Sequence, residues 1–272
     1  MDEYAPGDGN NITPAGAWAS GSAGWCACAC LISAGTISAV GPLVRTENES
    51  ATATAGTSHV VNLPSGIVAG DLILVLMNVG STAATINALT GWTELLDEGV
   101  ASGLYIAYRL ADGTEGATIT LTSSASTRDA TITLRIANAQ DPAVQAPQIG
   151  TTATGTSVSP DPPNVTPTGG AKDYLAVALF GNAGEEADDD TWANTPPANY
   201  LPSPPFQKAC GTTGVNLGGV IAAAYRSFNA SAEDPGTFNQ DASLAWRAQT
   251  IIVHPLPAAA VVIPDVVMAP LR

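Results

Sequence analysis

Few side chains in this 272-residue chain are equipped for chemistry, and their spacing narrows what they can do. Cys26, Cys28 and Cys30 alternate with alanine, so a strand would present all three thiols on one face. A tetrahedral zinc site takes four ligands in characteristic spacings, which this trio plus the distant Cys210 does not provide. Cysteines at i and i+2 of one strand cannot easily pair with each other. The alternatives are small buried residues, or disulfides between subunits through Cys26, Cys28, Cys30 and Cys210.

The only histidines, His59 and His254, each fall in a strand-like run at matching edges of two similar halves. A Ser-His-Asp relay needs its histidine among polar loop groups, so both are expected as edge or core residues. No Gly-x-Ser-x-Gly, His-Glu-x-x-His or phosphate-binding glycine loop is present. The strongest acidic run is Glu185-Glu-Ala-Asp-Asp-Asp190, where Asp188, Asp189 and Asp190 are candidate calcium ligands. Their spacing lacks the alternation of a calcium loop, and a solvated acidic loop is the simpler reading. Of five tryptophans, Trp192 in Asp-Thr-Trp-Ala-Asn-Thr-Pro-Pro is the candidate ligand contact, as an exposed loop aromatic. Trp92 and Tyr200 hold repeat-equivalent positions and are expected to pack between sheets. Neither a catalytic set nor a cofactor site emerges, so a non-enzymatic protein is expected.

Whatever positions these groups must be built mainly from strands. Charged residues are only 12% of the chain, while 27 glycines and 20 prolines supply turns. Hydrophobic residues reach 45% in short alternating runs, which indicates an all-β fold. The net charge of −15 and nine scattered basic residues exclude a phosphate-neutralising stripe, so no nucleic-acid partner is expected. Residues 9–44 carry no charge, but Gly, Ser, Thr and Pro interrupt them, and no membrane partner is expected. The acidic start Met1-Asp-Glu-Tyr lacks the positive region of a secretory signal.

The strands come in two passes of one pattern. Asn62–Leu76 is answered by Val165–Ala178, and Leu104–Arg109 by Val220–Arg226. Asp71 and Asp173 lie 102 apart, Trp92 and Tyr200 108, Tyr108 and Tyr225 117, and Arg128 and Arg247 119. Growing offsets fit a second copy with longer loops. The expected architecture is a jelly-roll-like β-sandwich over residues 51–255, with halves of about 51–140 and 141–255. Residues 1–50 and the Pro-punctuated apolar residues 256–272 are expected as extended arms. Ala117–Thr122 and Ala130–Ile136 read as separate period-2 strands with threonine outward.

Leu63-Pro-Ser-Gly-Ile-Val-Ala-Gly-Asp-Leu72, Gly91-Trp-Thr-Glu-Leu-Leu96, Tyr105-Ile-Ala-Tyr-Arg109 and the alternating threonine strand together resemble a β-sandwich module common in bacteriophage virion proteins. Such modules occur in tail-fibre, head-fibre and capsid-decoration components and in bacterial surface proteins. The resemblance spans residues 58–254 and implies no catalytic residues. It implies a structural protein exposed on the virion after assembly in the host cytoplasm. Its partners would be major capsid or tail proteins and copies of itself, with the arms clasping neighbouring subunits. A capsid decoration, cement or head-fibre role is expected first. A tail appendage or host-attachment carbohydrate-binding module comes second, and a bacterial surface adhesin third.

Overall fold

A computed structural model describes residues 41–80, 82–182, 184, 193–210 and 219–257. Among them are thirteen strands and no helix. The first half supplies β1 (Leu43–Asn62), β2 (Leu72–Val79), β3 (Thr93–Asp97), β4 (Leu104–Leu110) and β5 (Thr118–Ala137). These form an antiparallel sheet in the order β1-β5-β2-β4-β3. The second half supplies β6 (Gln148–Ile149), β7 (Ala153–Ser157), β8 (Lys172–Asn182), β10 (Leu201–Ala209), β11 (Val220–Ala230) and β13 (Leu244–Val253). Their order is β10-β11-β8-β13-β6, with β7 also on β13. A short ladder joins β9 (Ala193–Thr195) to β12 (Asn239–Gln240).

Read from opposite edges, the two sheets are one topology built twice. Each sheet draws its strands from one half, whereas jelly-roll connections would pass strands back and forth between sheets. Residues Leu43–Ser50, assigned above to the N-terminal arm, are sheet, because they continue the ladder of β1 on β5.

The ladders test the repeat residue by residue. Thr93 pairs with Tyr108 as Leu201 pairs with Tyr225, which reproduces the Trp92/Tyr200 and Tyr108/Tyr225 offsets of 108 and 117. Leu74 pairs with Tyr108 as Val177 pairs with Tyr225, so β2 matches β8 at 103 rather than 102. That one-residue correction matters because a single slip exchanges the two faces of a strand. Leu134 and Ile251 hold equivalent places opposite Leu74 and Val177, again 117 apart. Arg128 and Arg247 are therefore two residues out of step, on the same face.

Leu72, Leu74, Leu76, Ile106, Ile132 and Leu134 from the first sheet share one buried cluster with Leu175, Val177, Leu179, Ile221, Ile251 and Val253 from the second. Burying each such side chain contributes roughly 1.5–3 kcal/mol. β2 and β8 are apolar on both faces because each sits mid-sheet and is covered on both sides.

A polar link crosses this core. Asn78 at the end of β2 donates through Nδ2 to the Asn182 and Val220 carbonyls, at 2.7 and 2.8 Å. Only glycine admits it. A Cβ at Gly181 would lie 2.7 Å from Asn78 Cγ, and one at Gly219 would lie 2.8 Å from Asn78 Nδ2.

The outer face of the first sheet is covered by its own strands. β1 and β5 run together for their full lengths but shift register around Thr52–Ser58. Beyond that point the ribbon turns back, so Asn62 donates through Nδ2 to the Glu49 carbonyl at 2.9 Å. Thr133 Oγ1 donates to the Asn62 carbonyl at 2.8 Å. Val61 and Leu121 of the ribbon cluster with Val75, Met77 and Tyr105. The two threonine strands expected above are thus one, and Thr131 and Thr133, expected outward into solvent, are fully buried.

Candidate functional site

The ribbon's reversal assembles the most chemically suggestive group. Ser123 and Asp129 lie on β5 at either side of its bend, and His59 lies on the returning limb of β1. His59 Nδ1 is 2.7 Å from Asp129 Oδ1, and His59 Nε2 is 2.8 Å from Ser123 Oγ. Thr131 Oγ1 donates to Asp129 Oδ2 at 2.9 Å, and Ser123 Oγ is 2.8 Å from the Ala125 carbonyl that accepts its proton. The order serine, histidine, carboxylate is that of a hydrolytic relay. Here, however, His59 and Asp129 are 0% exposed and Ser123 6%, and the serine is committed to its own bend. A substrate carbonyl would reach Ser123 only after the bend opened. As built, the trio fastens the ribbon to the sheet.

His59 is thus a core residue, as expected from its strand-like run, but one with polar partners that the sequence does not reveal. Ser123 sits in Ser-Ser-Ala-Ser and Asp129 inside a threonine strand, 64 and 70 residues from His59, with no local motif to join them.

His254 is not the equivalent of His59. It follows β13 directly and is 2% exposed, yet neither ring nitrogen has a hydrogen-bond partner among the described residues. Its ring meets Tyr174 edge-on at 5.4 Å. Burial, and secondarily the Lys172 ammonium, push its pKa down to about 4.

The arginine of each repeated Tyr-Arg pair, Arg109 or Arg226, makes a structural clamp in its half. Arg226 Nη2 donates to Glu233 Oε2 at 2.6 Å, Tyr200 OH donates to Glu233 Oε1 at 2.7 Å, and the guanidinium lies 5.4 Å from the Tyr200 ring centre. Burial first, and then Glu233, push the Tyr200 hydroxyl far above the usual phenol range. In the first half Arg109 meets Glu115 at 3.1 Å and Asp112 at 2.6 Å. Its guanidinium packs so closely on Gly91, next to Trp92, that a Cβ there would lie 2.7 Å from Nη1. Trp92 and Tyr200 do not lie between the sheets. They precede Thr93 and Leu201, which pair with core-facing Tyr108 and its counterpart Tyr225, and so they turn to the outer faces.

Cys26, Cys28, Cys30, Asp188, Asp189, Asp190 and Trp192 lie outside the described residues. Cys210 is described: it is free, 1% exposed and part of the core shared by the sheets. Burial above all, and the Asp129 carboxylate, push its thiol up to about 12. In this fold it is a core side chain, withheld from any neighbouring subunit, rather than an inter-subunit cysteine. Trp246 is also buried, its indole N–H donating to Ser157 Oγ at 3.0 Å. Among the described residues, no group of three or more His, Cys, Asp or Glu is placed to hold a metal.

One end of the body presents a different surface. An open groove of about 690 Å³ is lined by Arg45, Val68, Ala69, Arg135, Ala139 and Leu256, among others. Val68 is 54% and Leu256 44% exposed. Leu43, at the start of β1 and 36% exposed, pairs with Ala137, and the Leu256 N–H donates to the adjacent Asn138 carbonyl at 3.3 Å. The first strand residue and nearly the last described one therefore meet at one corner, where exposed Leu43, Val68 and Leu256 stand near Arg45, Asp71 and Arg135. Comparison with known proteins finds no matching family model, no matching curated protein and no matching solved structure.

Proposed function

We propose that this chain is a non-enzymatic structural protein of a virion, of the capsid decoration, cement or head-fibre type. In this reading the two half-derived sheets form a β-sandwich body, and the flanking stretches are arms that clasp neighbouring subunits. The observation that carries it is that corner. The stretches before Leu43 and after Leu256 both attach there, beside exposed Leu43, Val68 and Leu256. Exposed aliphatic side chains set among the charged Arg45, Asp71 and Arg135 suit a contact between subunits. Residues 256–272 are themselves apolar in composition, with Asp265 the one charge before Arg272. Repetition over a symmetric lattice turns such modest contacts into a stable shell. The sealed Ser123–His59–Asp129 trio supports the same reading, since its geometry is accounted for by fastening the ribbon.

The test is quantitative mass spectrometry of gradient-purified particles from the source. The reading expects this chain at a fixed stoichiometry to the major capsid protein, retained through washing. A chain found only in the soluble fraction would overturn it.

A further inference from the structure

We propose that His254 is an acid-sensitive anchor, holding the Pro255–Leu256 segment to Asn138–Gln140 at neutral pH and releasing it on acidification. The inference does not depend on the assembly reading. The anchor is short. The Gln140 N–H donates to the His254 carbonyl at 2.8 Å, the Leu256 N–H donates to the Asn138 carbonyl at 3.3 Å, and Ala139 and Pro255 form an isolated bridge between them. The imidazole beneath is buried with no acceptor for a second proton among the described residues. From β8 it is faced by the Lys172 ammonium and the Tyr174 ring, with Phe228 of β11 packed behind Tyr174 at 5.5 Å.

An imidazolium there would be a desolvated cation beside another cation. Its relief is to swing out, which breaks the bridge and both hydrogen bonds. The open form therefore binds the proton more readily than the closed one. With the buried ring lowered to about 4 and an exposed imidazole near 6.5, the anchor is intact above pH 6.5 and loosens progressively down to pH 4.

Amide hydrogen exchange on the full chain, followed by NMR at Gln140 and Leu256 and corrected for intrinsic rates, tests this. Between pH 7 and pH 5 the opening constant of these two amides should rise about twentyfold, while the core amide of Val177 changes little. His254→Phe and His254→Leu should both abolish the rise. The His254 ring signal should titrate well below an ordinary histidine in the wild-type chain, a readout that needs no variant. Equal pH dependence in wild type and variants, or a ring that titrates as an exposed imidazole, overturns the proposal.

Discussion

At the scale of single residues, the buried polar groups divide by whether they have partners, and that division sets what their removal costs. His59 and Asp129 are both fully buried and face each other at 2.7 Å. Removing one partner strands the other, so Asp129→Asn or His59→Leu should destabilise the fold by about 3–5 kcal/mol in denaturant unfolding. Ser123→Ala should cost less, about 1–3 kcal/mol, because it leaves the buried His59 Nε2 without its partner. A serine nucleophile would behave otherwise. A fluorophosphonate probe should leave Ser123 unlabelled in the native chain, and stoichiometric labelling would count against the fastening role. Cys210 makes a parallel prediction: with its thiol pushed up to about 12 in the core, it should resist alkylation at pH 8 until the chain unfolds.

At the scale of elements, the link between the sheets depends on two missing side chains. Gly181→Ala would place a Cβ 2.7 Å from Asn78 Cγ, a core atom with nowhere to move. It should cost about 1–3 kcal/mol in thermal or urea unfolding, as overpacking does. The companion Asn78→Ala should relieve that clash, so the double variant should be less than additive. Strand content and the twofold repeat were legible in the sequence because period-2 apolar runs and paired aromatics report local geometry. Thr93 with Tyr108, and Leu201 with Tyr225, kept their spacing because both pairs sit in matching ladders. The Asp71/Asp173 match misled by one residue, since Asp71 precedes its strand and Asp173 lies within one. The bend in β1 and β5 was not legible. It makes Thr131 and Thr133 buried without changing their alternation, because the cover is the folded-back ribbon that carries Val61 and Leu121, whose reversal no local pattern marks. The same non-local fold hid the partnership of Ser123 with His59.

At the scale of the whole molecule, a net charge of −15 favours solubility, while Val68 and Leu256 stand exposed at one corner of the described body. Val68 and Leu256 contribute little to the body's own packing, being 54% and 44% exposed. Val68→Asp with Leu256→Asp should therefore change unfolding free energy by no more than about 0.5 kcal/mol per site. The same pair should sharply reduce incorporation into particles, measured by competition with the wild-type chain during assembly. A variant that folds less well but assembles normally would place the corner in the scaffold instead.

The most direct measurement is a cryo-electron microscopy map of the source particle at a resolution that traces this chain. The account predicts the body on the particle surface with the corner of Leu43, Val68 and Leu256 turned against neighbouring subunits, and residues 1–42 and 257–272 running across them. A body that projects with that corner facing solvent, or a particle that lacks the chain, would contradict it.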